Sequence, residues 1–209
     1  MEPDAIELRV LGCLLEKQRT TPDAYPLSLN ALRLACNQST ARDPVVAYDE
    51  GTVREALDRL GRRRWTRLAS GPGSRAPKFR HLLDEALGLG RDELAVLCVL
   101  LLRGPQTVGE LKGRTERLHP FGSLDEVAQV LARLAERELA ATVRRPGWKE
   151  TRWVQRLGED AAAGPEPALE PAAPPPASGD RVAALEDEVA ALRRDLEALR
   201  AEVQALRGG

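Results

Sequence analysis

Apolar residues recur at helical spacing along the first part of the chain, the pattern of a helix that buries one face. Between residues 5 and 18 they form a broad stripe of leucine, valine and isoleucine, so we expect a first helix there. Pro22 and Pro26 prevent that helix from continuing. A second helix is expected from Ser28, whose hydroxyl suits an N-cap, to Asn37.

The helical spacing returns after a polar loop and then gives way to short strands. Asp49 is expected to cap a third helix. The buried stripe of this helix is expected to consist of Val53, Ala56, Leu57 and Leu60. Strands are predicted at residues 65–69 and 78–82, on either side of a Ser-Gly-Pro-Gly-Ser turn. Three helices followed by a hairpin is the order of a winged helix.

The same order of elements recurs in the second part of the chain. A leucine-rich first helix is expected to end at Gly104-Pro105, and the pairs Thr107–Glu110 and Ser123–Glu126 predict capping boxes that open two further helices. Strands are predicted at residues 139–144 and 151–157. The stripe of the last helix matches that of its counterpart and consists of Val127, Val130, Leu131 and Leu134. Agreement across a whole unit indicates a repeat.

These patterns predict a mainly α protein of the α+β winged-helix class. Two tandem winged-helix domains are expected, at residues 1–88 and 89–157. The very low aromatic content, 3%, favours cores built from Leu, Val and Ala. Such residues suit packed helices.

Several motifs within residues 6–156 form a recognisable signature. They are Thr21-Pro-Asp-Ala-Tyr-Pro-Leu-Ser-Leu-Asn-Ala-Leu32, Ala35-Cys-Asn-Gln38, Arg42-Asp-Pro-Val45, Leu97-Cys-Val-Leu-Leu-Leu-Arg-Gly-Pro-Gln-Thr-Val-Gly-Glu-Leu111 and Arg145-Pro-Gly-Trp-Lys-Glu-Thr-Arg152. In these motifs the chain resembles the YceH-like family of bacterial proteins. The resemblance implies tandem winged helices, in agreement with the pattern of elements. It implies no particular activity, and it does not extend to the tail.

The last part of the chain differs in composition. Residues 158–180 are rich in Ala, Pro, Gly and Glu and predict a disordered linker. Residues 181–207 predict a coiled-coil helix, because apolar residues alternate spacings of three and four without interruption. The expected dimerisation seam consists of Val182, Leu185, Val189, Leu192, Leu196, Leu199, Val203 and Leu206.

The charges beside this seam predict its orientation. In a parallel pair, each g residue meets the e residue five positions further along the partner helix. These pairs are all opposite in sign: Arg181–Glu186, Glu188–Arg193, Asp195–Arg200 and Glu202–Arg207. We therefore expect a parallel homodimer. The alternative is a single amphipathic helix that packs back on its own body.

The net charge of −1 conceals an asymmetry between body and tail. Residues 1–157 carry 26 basic and 21 acidic side chains, whereas residues 158–209 carry 5 and 11. A mildly basic body with an acidic tail is compatible with nucleic-acid binding but does not require it.

A basic cluster at the end of the first domain's third helix and along its predicted wing is the candidate nucleic-acid site. In DNA-binding winged helices the third helix usually enters the major groove and the wing touches phosphate. The exposed face of this helix is expected to be mixed in charge, with Glu55 and Asp58 beside its arginines. Trp65 and Phe79 are expected to pack onto the core. The candidate contacts are Arg54, Arg62, Arg63, Arg64, Arg67, Arg75, Lys78 and Arg80.

Two functions remain open at this point. The first is a dimeric regulator that binds double-stranded DNA through the basic cluster, favoured narrowly by fold-level analogy. The second is an adaptor whose winged helices dock an unidentified protein, without DNA affinity. The last helix of the second domain favours the adaptor, because its exposed Asp125 and Glu136 would repel phosphate. The basic cluster also has a simpler interpretation, as a solvated edge stabilised by the helix dipole.

The residues capable of chemistry do not form a recognisable catalytic or metal-binding set. Cys13, Cys36 and Cys98 lie among apolar residues and are expected to be buried and unpaired. His81 and His119 are expected to be wing or loop contacts. We therefore expect no enzymatic activity, no cofactor and no bound metal.

The sequence also bears on the compartment. The first residues, Met-Glu-Pro-Asp, do not have the shape of a signal peptide. The longest apolar run, Leu94 to Leu102, is about half the length of a membrane span. We expect a cytoplasmic protein with no membrane partner.

Overall fold

The first half of the protein contains the predicted helices and hairpin. The computed structural model describes residues 2–70, 76–148 and 150–158. The elements of the first half are α1 (Ala5–Thr20), a 3₁₀ turn (Pro22–Ala24), β1 (Leu27–Ser28), α2 (Leu29–Cys36), α3 (Glu50–Arg62), β2 (Thr66–Leu68), β3 (Lys78–His81) and α4 (Leu83–Leu87). The predicted helices and strands are confirmed with small shifts at their ends. The short elements β1 and α4 were not predicted.

The second half repeats the order. Its elements are α5 (Arg91–Arg103), α6 (Val108–Thr115), α7 (Leu124–Glu136), β4 (Ala140–Val143) and β5 (Arg152–Gln155). The buried stripes predicted for α3 and α7 are confirmed. The repeat therefore holds at the level of element type, order and buried face.

The strands of the two halves are arranged alike. In the first half, β3 pairs antiparallel with both β1 and β2, with Leu27 opposite Phe79 and Arg67 opposite Arg80. In the second half, β5 pairs antiparallel with β4. Gln106, between α5 and α6, exchanges two backbone hydrogen bonds of 3.0 and 2.7 Å with Trp153 of β5. Each half therefore has its last strand in the middle, an arrangement consistent with an α+β winged-helix-like fold.

The predicted N-caps are confirmed, with one difference. The hydroxyl of Ser28 accepts from the backbone N–H of Ala31 at 3.3 Å, and Asp49 Oδ1 accepts from Thr52 at 2.7 Å. Thr107 and Glu110 form the predicted reciprocal capping box. The capping box predicted at Ser123 was wrong in one respect.

Ser123 accepts from the N–H of Glu126 at 3.2 Å, as a capping box requires. The carboxylate of Glu126, however, accepts from the N–H of Gly122 at 2.9 Å, one residue before the cap. The side chain therefore reaches past the cap, and the backbone N–H of Gly122 is satisfied instead.

A single apolar core contains residues of both halves, and all described residues lie in one compact unit. The close approach of α1 and α5 joins the halves. At Gly12 of α1, an added Cβ would lie 2.9 Å from Leu102 Cδ2 and 3.1 Å from Leu101 Cβ. Cys98 Sγ lies 3.5 Å from the carbonyl oxygen of Gly12. Glycine at this position therefore sets the helix spacing.

The predicted linker and coiled coil lie outside the described residues, apart from Gly158. The seam from Val182 to Leu206 and the parallel dimer remain predictions from the sequence.

Candidate nucleic-acid interface

Helix α3 presents one face to the core and the other to solvent. Arg54, Glu55, Asp58 and Arg62 are all exposed, as its periodicity predicts. At 13 residues the helix is about 20 Å long. Its outward face is mixed in charge along most of this length. The excess of positive charge begins at its C-terminal end.

The arginine run at the end of α3 divides into two kinds of side chain. Arg63 Nε donates to Glu7 Oε1 at 3.3 Å, and Arg59 Nε donates to Glu7 Oε2 at 3.1 Å. Glu7 is a nearly fully buried carboxylate of α1, 2% exposed. Arg63 therefore balances an internal charge. Arg62 and Arg64, on either side of it, are exposed.

Arg64 adopts the left-handed conformation that ends the helix. Its φ is 61°, the N–H of Trp65 donates to the Leu60 carbonyl at 3.0 Å, and the N–H of Arg64 donates to the Gly61 carbonyl at 3.0 Å. These are the two hydrogen bonds of a Schellman motif. The turn aims the chain into β2 and leaves the Arg64 side chain outside.

The hairpin β2–β3 carries further basic side chains. Arg67 and Lys78 are exposed. Arg80, across the ladder from Arg67, donates instead to Glu85 Oε1 at 2.5 Å. Arg75 lies outside the described residues. Trp65 and Phe79 pack against the core, which confirms their predicted structural role.

The structure thus brings a subset of the predicted residues together at one edge. We call this subset the basic edge, and it consists of Arg54, Arg62, Arg64, Arg67 and Lys78. Within residues 2–70, 76–148 and 150–158, none of these side chains forms an ion pair with a carboxylate. Arg63 and Arg80 of the predicted cluster are engaged by Glu7 and Glu85. Charge on the basic edge is therefore available to an external anion.

The turn after the last helix of the second half carries the opposite charge. Glu138 follows α7 with φ 56°, the N–H of Leu139 donates to the Leu134 carbonyl at 2.8 Å, and the N–H of Glu138 donates to the Ala135 carbonyl at 2.9 Å. This is the turn that Arg64 makes after α3. A glutamate occupies the second copy of the position and an arginine the first.

The exposed face of α7 is acidic for a further reason. Arg133 pairs with Asp92, and Arg137 lies 3.6 Å from Glu93 Oε1. Both acids belong to the first turn of α5. Asp125 and Glu136 are exposed, as predicted, together with the apolar side chain of Leu124. The cations of α7 are therefore neutralised locally while its outward carboxylates remain.

His81 lies at the end of β3 and anchors the hairpin to α1. Its ring is fully buried, Nε2 lies 2.7 Å from Gln18 Oε1, and Nδ1 accepts from the Leu83 N–H at 3.3 Å. This arrangement needs a proton on Nε2 and none on Nδ1, which is a neutral ring. Burial lowers the pKa of His81 to about 4, with Asp84 opposing the shift. The side chain therefore has a structural role.

A buried polar network around Arg42 was not predicted from the sequence. Arg42, in the loop between α2 and α3, donates to both carboxylate oxygens of Glu16 at 3.0 and 2.6 Å. Its remaining N–H groups reach the carbonyls of Ala35 and Ala41 and the side-chain oxygen of Gln38. Every guanidinium N–H thus meets an oxygen, so the loop is tied firmly to α1 and α2.

Trp148, between β4 and β5, lies close to two guanidinium groups. The guanidinium groups of Arg145 and Arg152 lie 5.5 and 5.3 Å from the ring centroid of Trp148. Arg152 also donates to Glu110 at 2.6 Å. Cation–π contacts of this kind stabilise the connection between β4 and β5. The sequence motif from Arg145 to Arg152 could have predicted these contacts, since it has an arginine on each side of a tryptophan.

The cysteines are buried thiols, as predicted. Cys13, Cys36 and Cys98 are free and buried. Burial raises the pKa of the Cys98 thiol well above its usual range. Among the residues that the structure describes, no group of His, Cys, Asp and Glu is arranged to hold a metal ion. Within the same ranges, no helix has both the length and the apolar character to cross a bilayer.

Comparison with known proteins identifies the family of the chain. Residues 4–148 match the family described as "Protein of unknown function, DUF480". A UPF0502 protein of Solibacter usitatus is 50% identical over 184 residues, which cover 88% of this chain and 89% of the relative. A UPF0502 protein of Citrifermentans bemidjiense is 49% identical over 186 residues, with coverage of 88% and 86%. A UPF0502 protein of Geotalea daltonii is 51% identical over 182 residues, with coverage of 86% and 81%. The chain belongs to the DUF480 family.

Proposed function

We propose that this protein is a non-enzymatic regulator that binds double-stranded DNA through the basic edge of its first half. The observation that carries the proposal is a set of exposed cations at the end of α3 and on the hairpin β2–β3, which have no carboxylate partner among the residues that the structure describes. We also propose that the two halves are tandem winged helices, in keeping with their matched element order. The YceH-like resemblance is compatible with the family assignment.

The distribution of charge suits a phosphate backbone. Neighbouring phosphates attract side chains that have not been neutralised within the protein, and release of counterions supplies most of the binding free energy. Arg62, Arg64, Arg67 and Lys78 meet that condition within the described part of the chain. They belong to a helix end and a hairpin, which can follow the backbone on either side of a groove.

Helix α3 is suited in size to the major groove. The groove of B-DNA is about 12 Å wide and admits a single α-helix. Arg54, about two turns before Arg62, is the exposed cation that such docking would bring to base edges. Glu55 and Asp58 limit the attraction of the rest of the helix face for DNA. We therefore assign affinity chiefly to the helix end and hairpin.

Dimerisation through the predicted coiled coil would present two basic edges to one duplex. A parallel coil places both bodies at the same end, as two half-sites require. The predicted linker of residues 158–180 would, as a flexible chain, span roughly 25 Å. It would therefore tolerate variation in half-site spacing.

A second function, docking of a partner protein, is favoured by the acidic face of α7. Asp125, Glu136 and Glu138 are exposed, and the apolar side chain of Leu124 is exposed next to Asp125. This surface repels phosphate but suits a partner with basic and apolar side chains. In the adaptor alternative, this surface is the functional one and the basic edge is solvated.

Binding of a fluorescent duplex by the full chain separates the two functions. The DNA would be a mixture of labelled genomic fragments, and binding would be measured by fluorescence anisotropy at a series of salt concentrations. The series would start at about 50 mM salt, because phosphate contacts are strongest at low salt. We expect salt-sensitive binding to all fragments with preference among them. Absence of binding at about 50 mM salt contradicts the DNA proposal and leaves the adaptor.

A further inference from the structure

A cavity between α1 and the α5–α6 region is lined by arginines. Its volume is about 120 Å³. Cys98, Val99 and Leu102 of α5 line it and are buried. Glu16 of α1 and Ala41 of the loop between α2 and α3 also line it. Its three basic lining residues are Arg103, Arg114 and Arg117.

The positive charge of this cavity is not balanced by its own carboxylate. Glu16 is already bound through both oxygens by Arg42, and Lys17 Nζ lies 3.2 Å from Oε2. Burial opposes ionisation of Glu16, but the hydrogen bonds and charge of Arg42 outweigh it and lower the pKa. The carboxylate is therefore committed to cations other than the three arginines of the cavity.

The arginines differ in what they contact. Arg114 lies 3.6 Å from Glu110 and contacts Gln106. Across the described ranges, Arg103 and Arg117 have no carboxylate within ion-pair distance. Burial, followed by the nearby charge of Arg114, lowers the pKa of Arg103. Arginine side chains that lie close together beside apolar residues repel one another, and an anion bound between them reduces that repulsion.

The size of the cavity and its guanidinium groups select the anion. Its volume corresponds to roughly four water molecules, enough for a tetrahedral oxyanion and too small for a nucleoside. One guanidinium group can bind two phosphate oxygens at once. Several guanidinium groups around one site suit a doubly charged phosphate better than they suit a single planar carboxylate. An adjoining, more open depression of about 280 Å³ shares Ala41, Arg103 and Arg114 with the cavity. It leaves room for a short group attached to the anion.

We propose that this cavity binds a dianionic phosphate group, either inorganic phosphate or the terminal phosphate of a small phosphomonoester. The proposal goes beyond DNA binding, since the cavity and the basic edge share no residue. The cavity instead joins the two halves, because its walls come from α1 and from α5 and α6. A ligand there would stabilise the junction between them.

Calorimetric titration and thermal unfolding of the full chain test the proposal. The probes are inorganic phosphate and glycerol 3-phosphate, at ionic strength held constant with sodium chloride. A ligand that binds the folded state alone raises the melting temperature in a saturable manner. We expect saturable binding of phosphate, weakened by about tenfold or more in Arg103→Gln and in Arg117→Gln.

Arg144→Gln is the matched control, because Arg144 is exposed and lies outside the cavity. It should bind phosphate as the unmodified protein does. Tighter binding of glycerol 3-phosphate would identify an ester as the ligand, and equal binding would identify the phosphate group alone. No saturable binding, or binding unchanged in both cavity variants, overturns the proposal. Arg117 follows α6 in an exposed turn, so its variant tests the cavity even if Arg103→Gln unfolds.

Discussion

Arg64 and Glu138 occupy the same left-handed turn in the two halves of the protein, each one residue before a backbone N–H that closes a Schellman motif. The fold requires the turn but not the side chain, because both side chains are exposed. The charge at this position is therefore free to differ, and it is positive in the half with the basic edge. This pair provides a direct comparison between the halves.

Replacing each residue of this pair with glycine separates charge from folding. Glycine adopts the left-handed conformation without steric cost, so Arg64→Gly and Glu138→Gly should each leave the free energy of unfolding unchanged or raise it by up to about 1 kcal/mol. Arg64→Gly should weaken DNA binding, whereas Glu138→Gly should not. Chemical denaturation and anisotropy measure the two effects. Equal loss of DNA affinity in both variants would count against the basic edge.

The predicted coil should determine the oligomeric state. A chain ending at Leu157 is expected to be monomeric by light scattering, whereas the full chain is expected to be dimeric. Within the full chain, Arg193→Glu with Arg200→Glu should weaken the dimer by roughly 1–2 kcal/mol, because each exposed pair contributes a few tenths and occurs twice. Adding Glu188→Arg and Asp195→Arg should restore it. A tight dimer after truncation would exclude the coil as the dimerisation element.

The free energy of unfolding should fall with acid because of His81. The pKa of this buried ring is about 4, against an ordinary value of 6.5. Above pH 6.5 the His81 ring is neutral in both the folded and the unfolded protein, and its native contacts are intact. Below it the unfolded chain takes up a proton that the folded ring does not, so stability decreases down to about pH 4 by roughly 3 kcal/mol. His81→Gln should flatten this part of the curve in urea denaturation at a series of pH values. Parallel curves for both proteins would rule out this role.

The helix crossing at Gly12 should not tolerate a methyl group. Gly12→Ala would place Cβ 2.9 Å from Leu102 Cδ2 in the core, so we expect a loss of roughly 1–3 kcal/mol in the free energy of unfolding. Gly113→Ala in α6 is the control, because nothing lies within 4 Å of its added Cβ. It should gain about 0.5–1 kcal/mol from helix propensity. A stabilised Gly12→Ala protein would show that the halves can separate at little cost.

Much of the fold follows from local patterns. The stripes of α3 and α7 repeat at helical spacing, and Asp49 and Thr107 announce helix starts through their side-chain oxygens. Strand β1 is two residues long, so it has no alternation to detect, and its existence depends on pairing with Phe79. The reach of Glu126 past its cap depends on the conformation at Gly122, which no spacing reveals.

The candidate site was predicted only in part, for a similar reason. The sequence shows seven basic residues between positions 62 and 80 but not which of them have internal partners. Glu7, which binds Arg63, lies 56 positions earlier in the chain. The pairing of Glu16 with Arg42, which engages the carboxylate that lines the cavity, also joins distant segments. Charge counts along a sequence cannot contain these contacts.

The salt dependence of DNA binding tests the central proposal most directly. Each phosphate contact contributes about 0.9 to the slope of log affinity against log salt. The variant with Arg62, Arg64, Arg67 and Lys78 all replaced by Ala should therefore lose about three to four units of slope and bind weakly to every sequence. A control with Arg133, Arg137, Arg144 and Arg145 of the second half replaced by Ala should keep the slope of the unmodified protein. A slope that is unchanged in the first variant, or lost equally in both, would contradict DNA binding at the basic edge.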